Sequence, residues 1–285
     1  MQLLEYLLEN YKSLSRNKLK TLLTKGAVSV DGTVRTRHDF PVTEENHVEI
    51  IRHAPSVPNR ADRNMLHFAT IEYEDQWLIV VNKKTGVLCV PTGHHGFCMK
   101  TLLDEYLERK GERRTAHIVH RLDKDTSGLM LFAKSRQVQE AFTENWHDII
   151  RDRRYYAVTR GIPRQGNGTI RSWLYDDAKG YVHSAPTDNG GKLAVTHYAI
   201  VHTTPRHALL DVKLETGRKN QIRVHLQDIG CPVVGDAKYG CDNPIGRLGL
   251  HAYRLAFTHP VTHKEMNFET PIPQAFKKLF PELQP

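Results

Sequence analysis

The residue types best suited to chemistry occur in one short stretch, His120–Gly128, with the sequence His-Arg-Leu-Asp-Lys-Asp-Thr-Ser-Gly. Asp123 lies between Arg121 and Lys124, and nearby cations favour the ionised form of a carboxylate. An ionised carboxylate can act as a nucleophile or as a general base. A structural ion pair that fixes a loop is the competing interpretation. It applies more strongly to Asp125, because Asp-Thr-Ser-Gly is typical of turns. Spacing alone does not choose between the two acids.

Apolar segments on both sides predict that this stretch is a loop presented by strands. Residues 117–119 precede it, and the apolar run 129–133 follows it. A rigid sheet that presents a charged loop is a common way to build an active site. Further patterns predict helices over 98–110 and from Ser135 to Trp146, and mainly strands from residue 153 onward. The sequence therefore predicts an α+β fold whose strand-rich domain carries a mostly antiparallel mixed sheet.

The N-terminal region predicts a smaller α+β domain with a basic helix. Two short helices and a hairpin with an Asp-Gly turn follow one another before residue 35. Lys12, Arg16 and Lys20 recur every four residues, so they are expected to share one face of the second helix. A solvated helix face is the more common explanation of such a stripe. The helix–helix–hairpin order, however, resembles an S4-type RNA-binding domain, which implies that Arg16 and Lys20 contact RNA.

Length and composition limit the possible classes of protein. A chain of 285 residues is long for one core, so we expect a domain over 1–52, a linker over 53–66 and a second domain over 67–285. The net charge of +8 favours a polyanionic partner such as nucleic acid. No membrane-spanning segment and no secretory signal are expected. The four cysteines form no Cys-x-x-Cys pair, which favours a reduced, cytoplasmic setting. The 17 histidines lack the spacing of a known zinc motif, so no metal site is expected.

Several segments of the chain match one family's motifs in the required order. They are Asp75–Lys83, His120–Leu129, Arg153–Ala157, Leu214–Leu226, Gly235–Tyr239 and Leu250–Ala252. Together they resemble the RluA/RluD-type pseudouridine synthases, which isomerise uridine in structured RNA to its C-glycoside. The resemblance covers about residues 70–275. The chain departs from the usual pattern at Lys84 (commonly Pro), Asn220 (commonly His) and Arg153 (commonly Lys).

The resemblance implies a role for each matching residue. Asp123 corresponds to the obligatory aspartate, Tyr155 to the tyrosine that stacks on the uracil, and Arg223 to the arginine that orients the aspartate by a two-point contact. Asp125 is then structural. Extracting a uridine from a stem costs on the order of a few kcal/mol, and Arg121 is expected to fill the vacated space. Phosphate contacts are expected from basic residues near the site, namely Lys124, Arg153, Arg154, Arg218 and Lys219.

The same resemblance implies the partners and leaves alternatives open. The isomerisation requires no cofactor, and the RNA is expected to be ribosomal rather than transfer RNA. A monomer is expected, with no membrane association. One alternative is a non-catalytic RNA-binding or ribosome-assembly protein. Another is a metal-dependent phosphohydrolase that uses Asp123, Asp125 and nearby histidines.

Overall fold

The structure is a computed structural model that describes residues 1–24, 27–31, 33–35, 37–43, 45–50, 67–91, 97–240 and 242–283. The chain divides into two compact units, Met1–Asn64 (unit 1) and Met65–Pro285 (unit 2). The linker predicted over 53–66 lies outside the described residues, as does Gly32 of the predicted Asp-Gly turn. No described helix has both the length and the apolar character needed to cross a membrane.

Unit 1 packs two helices against a small antiparallel sheet. Its elements are α1 (Leu3–Asn10), α2 (Arg16–Thr24), β1 (Val28–Val30), β2 (Thr33–Val34) and β3 (Val48–Ile50), with strand order β2-β1-β3. Leucines of both helices and valines of the sheet form one core. The Ser15 hydroxyl accepts a hydrogen bond from the Lys18 amide, so Ser15 caps α2. Arg16 and Lys20 are exposed on α2.

Unit 2 is built on one large sheet. Its strands are β4 (Ala69–Glu74), β5 (Leu78–Lys83), β6 (His117–Ile118), β7 (Ser127–Ala133), β8 (Ile150–Arg160), β9 (Asn167–Asp176), β10 (Val182–Ala185), β11 (Lys192–Thr203), β12 (His207–Leu214), β13 (Leu250–Thr258) and β14 (Glu265–Glu269). The order is β10-β9-β11-β12-β8-β13-β7-β5-β4, with β14 beside β13 and β6 beside β7. Among the described strands, β7 and β13 pair in parallel and the other pairs are antiparallel. The predicted α+β fold with a mostly antiparallel mixed sheet is confirmed.

Helices cover both faces of this sheet. They are α3 (Met99–Arg109), α4 (Arg136–Glu144), α5 (Trp146–Ile149), α6 (Gln221–Asp228) and α7 (Gln274–Lys277), followed by a short 3-10 helix, Pro281–Leu283. One core joins α3 and α6 to the face that carries Ile79 and Met130. Another joins α4 to the opposite face, which carries Val80 and Leu129. Because β5 and β7 are covered on both faces, their sequences are almost continuously apolar.

The helix after Ser135 is shorter than predicted. The Ser135 hydroxyl accepts a hydrogen bond from the Val138 amide, which confirms the predicted cap. The helix ends at Glu144, however, and Trp146 begins the separate α5. Asn145 leaves the helical conformation, and its side-chain amide donates to the Ala141 carbonyl at 3.1 Å. Trp146 therefore lies outside α4 and lines the cavity described below.

Candidate active site

A cavity of about 620 Å³ lies beside the loop between β6 and β7. Its lining includes most of the predicted site residues, namely Arg121, Asp123, Tyr155, Arg218 and Arg223. The lining does not include Lys124, whose side chain is exposed. Arg16 and Lys20 belong to unit 1. Asp125 is also exposed and outside the lining, so the structure distinguishes the two acids by position.

The loop that carries Asp123 is anchored at Leu122. The Leu122 side chain is buried in the core, and its backbone exchanges two hydrogen bonds with the Cys89 thiol. The thiol donates to the Leu122 carbonyl at 3.0 Å and accepts from its amide at 3.4 Å. The Thr126 amide donates to the Asp123 carbonyl at 3.2 Å, which closes a tight turn. A buried residue between Arg121 and Asp123 thus presents both of their side chains to the cavity.

Lys83, the last residue of β5, holds the outer side of the same loop. Its side chain is fully buried, and its ammonium donates to the carbonyls of Lys84, Val87 and Lys124 at 2.9–3.1 Å. Burial lowers the pKa of Lys83 to about 8. Lys83 ends the matching segment Asp75–Lys83, whose motif implies no role for it. Its contact with the Lys124 carbonyl shows that the backbone of Lys124, rather than its side chain, is fixed next to Asp123.

Ser127 and Gly128 fix the end of the loop where β7 begins. Burial lowers the pKa of His251 to about 3, so its ring is neutral. Its Nδ1 atom lies 2.6 Å from the Ser127 hydroxyl, which accepts a hydrogen bond from Arg247 at 2.7 Å. Gly128 has φ +119, and a Cβ there would overlap the backbone of Ala252 on β13. This close approach requires glycine.

Arg223, on α6, is the partner of Asp123. Its Nη1 atom donates to Asp123 Oδ2 at 3.0 Å. Its Nε and Nη2 atoms donate to the two oxygens of Asp236, each at 2.7 Å. The predicted two-point contact of Arg223 with Asp123 is therefore wrong, because Arg223 makes that contact with Asp236. Because the Nε–Nη2 edge of the guanidinium is used on Asp236, Asp123 receives a single hydrogen bond, from Nη1.

Asp236 and Asn220 hold the Arg223 guanidinium in place. The Asp236 side chain is fully buried and also accepts from the amides of Lys238 and Tyr239. Burial alone would raise the pKa of Asp236, but hydrogen bonds with Arg223 hold it below its usual range. Asn220 caps α6 with φ +53, a conformation that Asn tolerates well. Its Oδ1 accepts from Arg223 at 3.0 Å, and its amide donates to the Tyr239 hydroxyl at 3.0 Å.

The residues that hold the Arg223 guanidinium in place had no predicted role. Asp236 and Tyr239 were noted as part of a matching segment, and Asn220 only as a departure from the usual His. The available signal was an acidic residue at a fixed place in the segment that follows the helix. The Asn220 side chain makes two specific hydrogen bonds. Although Asn stands where His is usual, a hydrogen-bonding group therefore remains beside Arg223.

Tyr155 forms a wall of the cavity from β8. Its side chain is 6% exposed and belongs to the core with Val212 and Ala252, which flank it on the neighbouring strands. Burial raises the pKa of the Tyr155 phenol, so it stays protonated at neutral pH. Tyr155 is therefore both a core residue and part of the cavity lining.

The cavity carries an excess of positive charge. Its lining has five cationic side chains, Arg121, Arg153, Arg218, Lys219 and Arg223, and two carboxylates, Asp123 and Glu215. Asp123 pairs with Arg223, and Glu215 lies 3.2 Å from His197. Within the part of the chain that the structure describes, no carboxylate lies within 4.0 Å of the guanidinium groups of Arg121, Arg153 and Arg218. An anionic ligand would balance this charge.

Arg154 differs from the other basic residues expected at the site. It donates to Asp152 at 2.8 Å and to Asp211 at 2.6 Å, and it is absent from the cavity lining. Successive residues of a strand point to opposite faces of the sheet, so Arg154 lies on the face away from Arg153. The predicted contact of Arg154 with phosphate at this site is therefore not supported by its position.

Comparisons with known proteins agree with this geometry. Residues 77–228 match the family model described as RNA pseudouridylate synthase. An uncharacterised RNA pseudouridine synthase of Bacillus subtilis is 37% identical over 212 residues, covering 73% of this chain and 74% of its own. Ribosomal large subunit pseudouridine synthase D of Neisseria meningitidis is 35% identical over 275 residues, covering 91% of this chain and 72% of its own. Human RNA pseudouridylate synthase domain containing 4 is similar in fold, with a TM-score of 0.60, 24% identity, and coverage of 75% of this chain and 92% of its own.

Proposed function

This chain belongs to the RNA pseudouridylate synthase family, and on that premise we propose that it modifies large-subunit ribosomal RNA and uses Asp123 as its essential carboxylate. The family consists of isomerases. In their reaction the N1–C1′ bond of a uridine breaks and a C5–C1′ bond forms, so the product has the composition of the substrate. The enzyme must therefore hold the detached uracil while it turns over.

One observation carries the proposal for Asp123. Its carboxylate lies at the wall of a cavity of about 620 Å³, 3.0 Å from a guanidinium that Asp236 holds in place. An unprotonated carboxylate is required whether it attacks C1′, attacks the base or removes a sugar proton. Arg223 stabilises that state and limits the rotation of the side chain. Asp125, two residues away, has neither the cavity nor the arginine.

The other cavity residues have complementary tasks in this proposal. The buried ring of Tyr155 offers a fixed surface on which the uracil stacks. Arg121 is exposed at the cavity and takes the place of the uridine in the RNA stack. Arg121→Ala should then reduce conversion of a uridine in a stem more than conversion in an unstructured fragment. An equal loss on both RNAs would contradict this task.

The proposal of a ribosomal substrate rests on similarity and charge. The alignment with the Neisseria protein covers 91% of the chain, so it must extend into unit 1. We assign unit 1 an S4-like, RNA-binding role, in which Arg16 and Lys20 on the exposed face of α2 contact phosphates. The net charge of +8 agrees with a large polyanionic substrate. A binding-only protein would have no need for Asp123 and Arg223 to meet at a cavity.

Mapping pseudouridines in cellular RNA tests both parts of the proposal. RNA from cells without the gene is compared with RNA from cells that express the wild type, Asp123→Asn or Asp125→Asn. We expect one or more sites in large-subunit ribosomal RNA to disappear without the gene and to return with the wild type and Asp125→Asn, but not with Asp123→Asn. Sites confined to transfer RNA would contradict the substrate, and restoration by Asp123→Asn would contradict the carboxylate.

A further inference from the structure

Arg153 packs at the cavity wall against Trp146 and beside Gly217. Its guanidinium carbon lies 5.0 Å from the centre of the Trp146 ring, a cation–π contact. A Cβ at Gly217 would lie 3.2 Å from Arg153 Nη1, which is tighter than an ordinary contact. All three residues line the cavity. The absence of a side chain at residue 217 thus leaves the space that the guanidinium occupies.

The guanidinium of Arg153 has no carboxylate partner among the described residues within 4.0 Å. Arg154 on the same strand and Arg223 on α6, by contrast, each contact two carboxylates. The Trp146 ring packs against the guanidinium without accepting a conventional hydrogen bond, and no described group accepts a hydrogen bond from its N–H donors. A guanidinium that is fixed by packing and has available donors is a preorganised anion site.

The surroundings of Arg153 indicate phosphate as the ligand. Arg218 follows Gly217, lines the same cavity and has no carboxylate partner among the described residues. Planar guanidinium donors match the oxygens of a phosphodiester. A carboxylate ligand would satisfy one such group, whereas the backbone of an RNA strand can supply phosphates to several. The position of the site at the cavity places it beside the nucleotide that reacts.

We propose that Trp146, Arg153 and Gly217 form a phosphate site that holds the RNA backbone next to the uridine entering the cavity. This inference rests on the proposed function. The Trp146 ring fixes the guanidinium, Gly217 provides its space, and Arg153 donates to a non-bridging phosphate oxygen. The site supplies affinity and sets the position of the strand, and it reads no base. Trp146 is a positioning residue because it acts through Arg153.

The test is a binding cycle between protein and RNA variants. The probe is a short RNA that contains the uridine found by mapping, made with one neutral methylphosphonate at each linkage around that uridine in turn. Binding is measured for the wild type, Arg153→Ala and the charge-matched control Arg154→Ala, each shown to be folded by circular dichroism. At one linkage, we expect the methylphosphonate to weaken binding of the wild type and of Arg154→Ala about tenfold. The same change should weaken binding of Arg153→Ala less than about twofold.

The proposal would be overturned if, at every linkage, the methylphosphonate weakened RNA binding of Arg153→Ala as much as that of the wild type. A second result would also overturn it. If removing a neighbouring base weakened binding of the wild type but not of Arg153→Ala, while removing a phosphate charge weakened both equally, the guanidinium would hold a base by stacking. A failure of this cycle on an RNA that the enzyme converts leaves the proposed function intact. If mapping finds no site, the proposed function itself is wrong.

Two further variants separate the effect of packing around the Arg153 guanidinium from the effect of its charge. Trp146→Leu keeps the charge, so it should weaken binding while changing the salt dependence little. Arg153→Ala should reduce the slope of log K against log salt by about one phosphate contact. Gly217→Ala should act like Trp146→Leu, because it displaces the guanidinium. Wild-type binding by both Trp146→Leu and Gly217→Ala would contradict the role of packing.

Discussion

The two faces of β8 carry the same residue types in the same order. Arg153 and Tyr155 face the cavity, and Arg154 and Tyr156 face the other side of the sheet. On the cavity face, the arginine has no carboxylate partner among the described residues and the tyrosine ring is a wall. On the other face, Arg154 contacts Asp152 and Asp211, and Tyr156 stacks on Tyr253 with ring centres 3.8 Å apart.

This difference shows that partners, rather than residue type, separate a binding surface from a structural one. The described acidic groups beside Arg154 on the far face are paired with arginines. Asp211, for example, accepts from Arg154 and from the Tyr253 hydroxyl. Arg154 therefore needs no ligand to balance its charge. The cavity face retains an excess of positive charge, which a ligand can balance.

The largest expected difference between the faces concerns their acids. Asp123→Asn should reduce single-turnover conversion of RNA by at least about a thousandfold, because the amide cannot act as the unprotonated carboxylate. Asp211→Asn on the far face should change the same rate less than about threefold, since that residue touches no cavity group. Rapid-quench assays on one RNA substrate measure both. Comparable losses would show that the far face takes part in the reaction.

A smaller loss is expected when the support of Arg223 is removed. Asp236→Asn weakens the fork contact that fixes the guanidinium, so the turnover rate should fall roughly 10–100-fold, with little change in RNA affinity. Arg223→Lys should do the same, because an ammonium cannot contact Asp236 and Asp123 with the same geometry. The far-face counterpart, Arg154→Lys, should leave the rate unchanged. A loss of affinity in Asp236→Asn without a loss of rate would contradict the positioning role.

The two arginines of β8 should rank differently in stability and in RNA binding. Arg154→Ala should lower the stability more, whereas Arg153→Ala should weaken RNA binding more. Arg154→Ala removes the arginine that pairs with Asp211 and leaves Asp152 with Arg254 as its charged neighbour, which should lower the free energy of unfolding by about 1–2 kcal/mol, allowing for partial exposure. Arg153→Ala loses one cation–π contact and should cost about 0.5–1 kcal/mol or less. Urea unfolding of unit 2 within the intact chain gives both values. The opposite order would overturn the distinction between the faces.

The sequence was sufficient for the fold class and for the residues around Asp123. Two-sided burial gives β5 and β7 their apolar runs, and motif order identified Asp123, Tyr155 and Arg223, which the structure places around one cavity. The partner of the Arg223 fork was missed because Asp236 comes from a separate loop, and only the folded chain brings them together. The displacement of Trp146 depends on one residue, Asn145, which ends the preceding helix.

The error for Arg154 had a different origin. Strand alternation already implied that Arg153 and Arg154 point to opposite faces, yet charge alone assigned both to phosphate. What alternation could not reveal was which face lies on the cavity. That depends on α6 packing against the Tyr155 side, through long-range contacts such as that between Arg223 and Asp123.

A last expected effect concerns a property in which the two faces agree. Burial lowers the pKa of His120, at the cavity, to about 3, and that of His251, which pairs with Tyr156 on the far face, also to about 3. An unfolded histidine has a pKa near 6.5, so the unfolded chain binds more protons between about pH 3 and 6.5. Each histidine therefore makes the folded state less stable as the pH falls through this window. Between pH 7 and pH 5 the loss is roughly 1–2 kcal/mol for each group.

Replacing either histidine should remove its share of this pH dependence. Urea unfolding of His120→Asn and of His251→Asn at pH 7 and pH 5 is compared with that of the wild type. The decrease in unfolding free energy between the two pH values should be smaller in each variant, whatever the replacement does to stability at pH 7. A flatter profile in His251→Asn alone would mean that solvent in the cavity reaches His120. The two faces of the sheet would then differ in hydration as well as in charge.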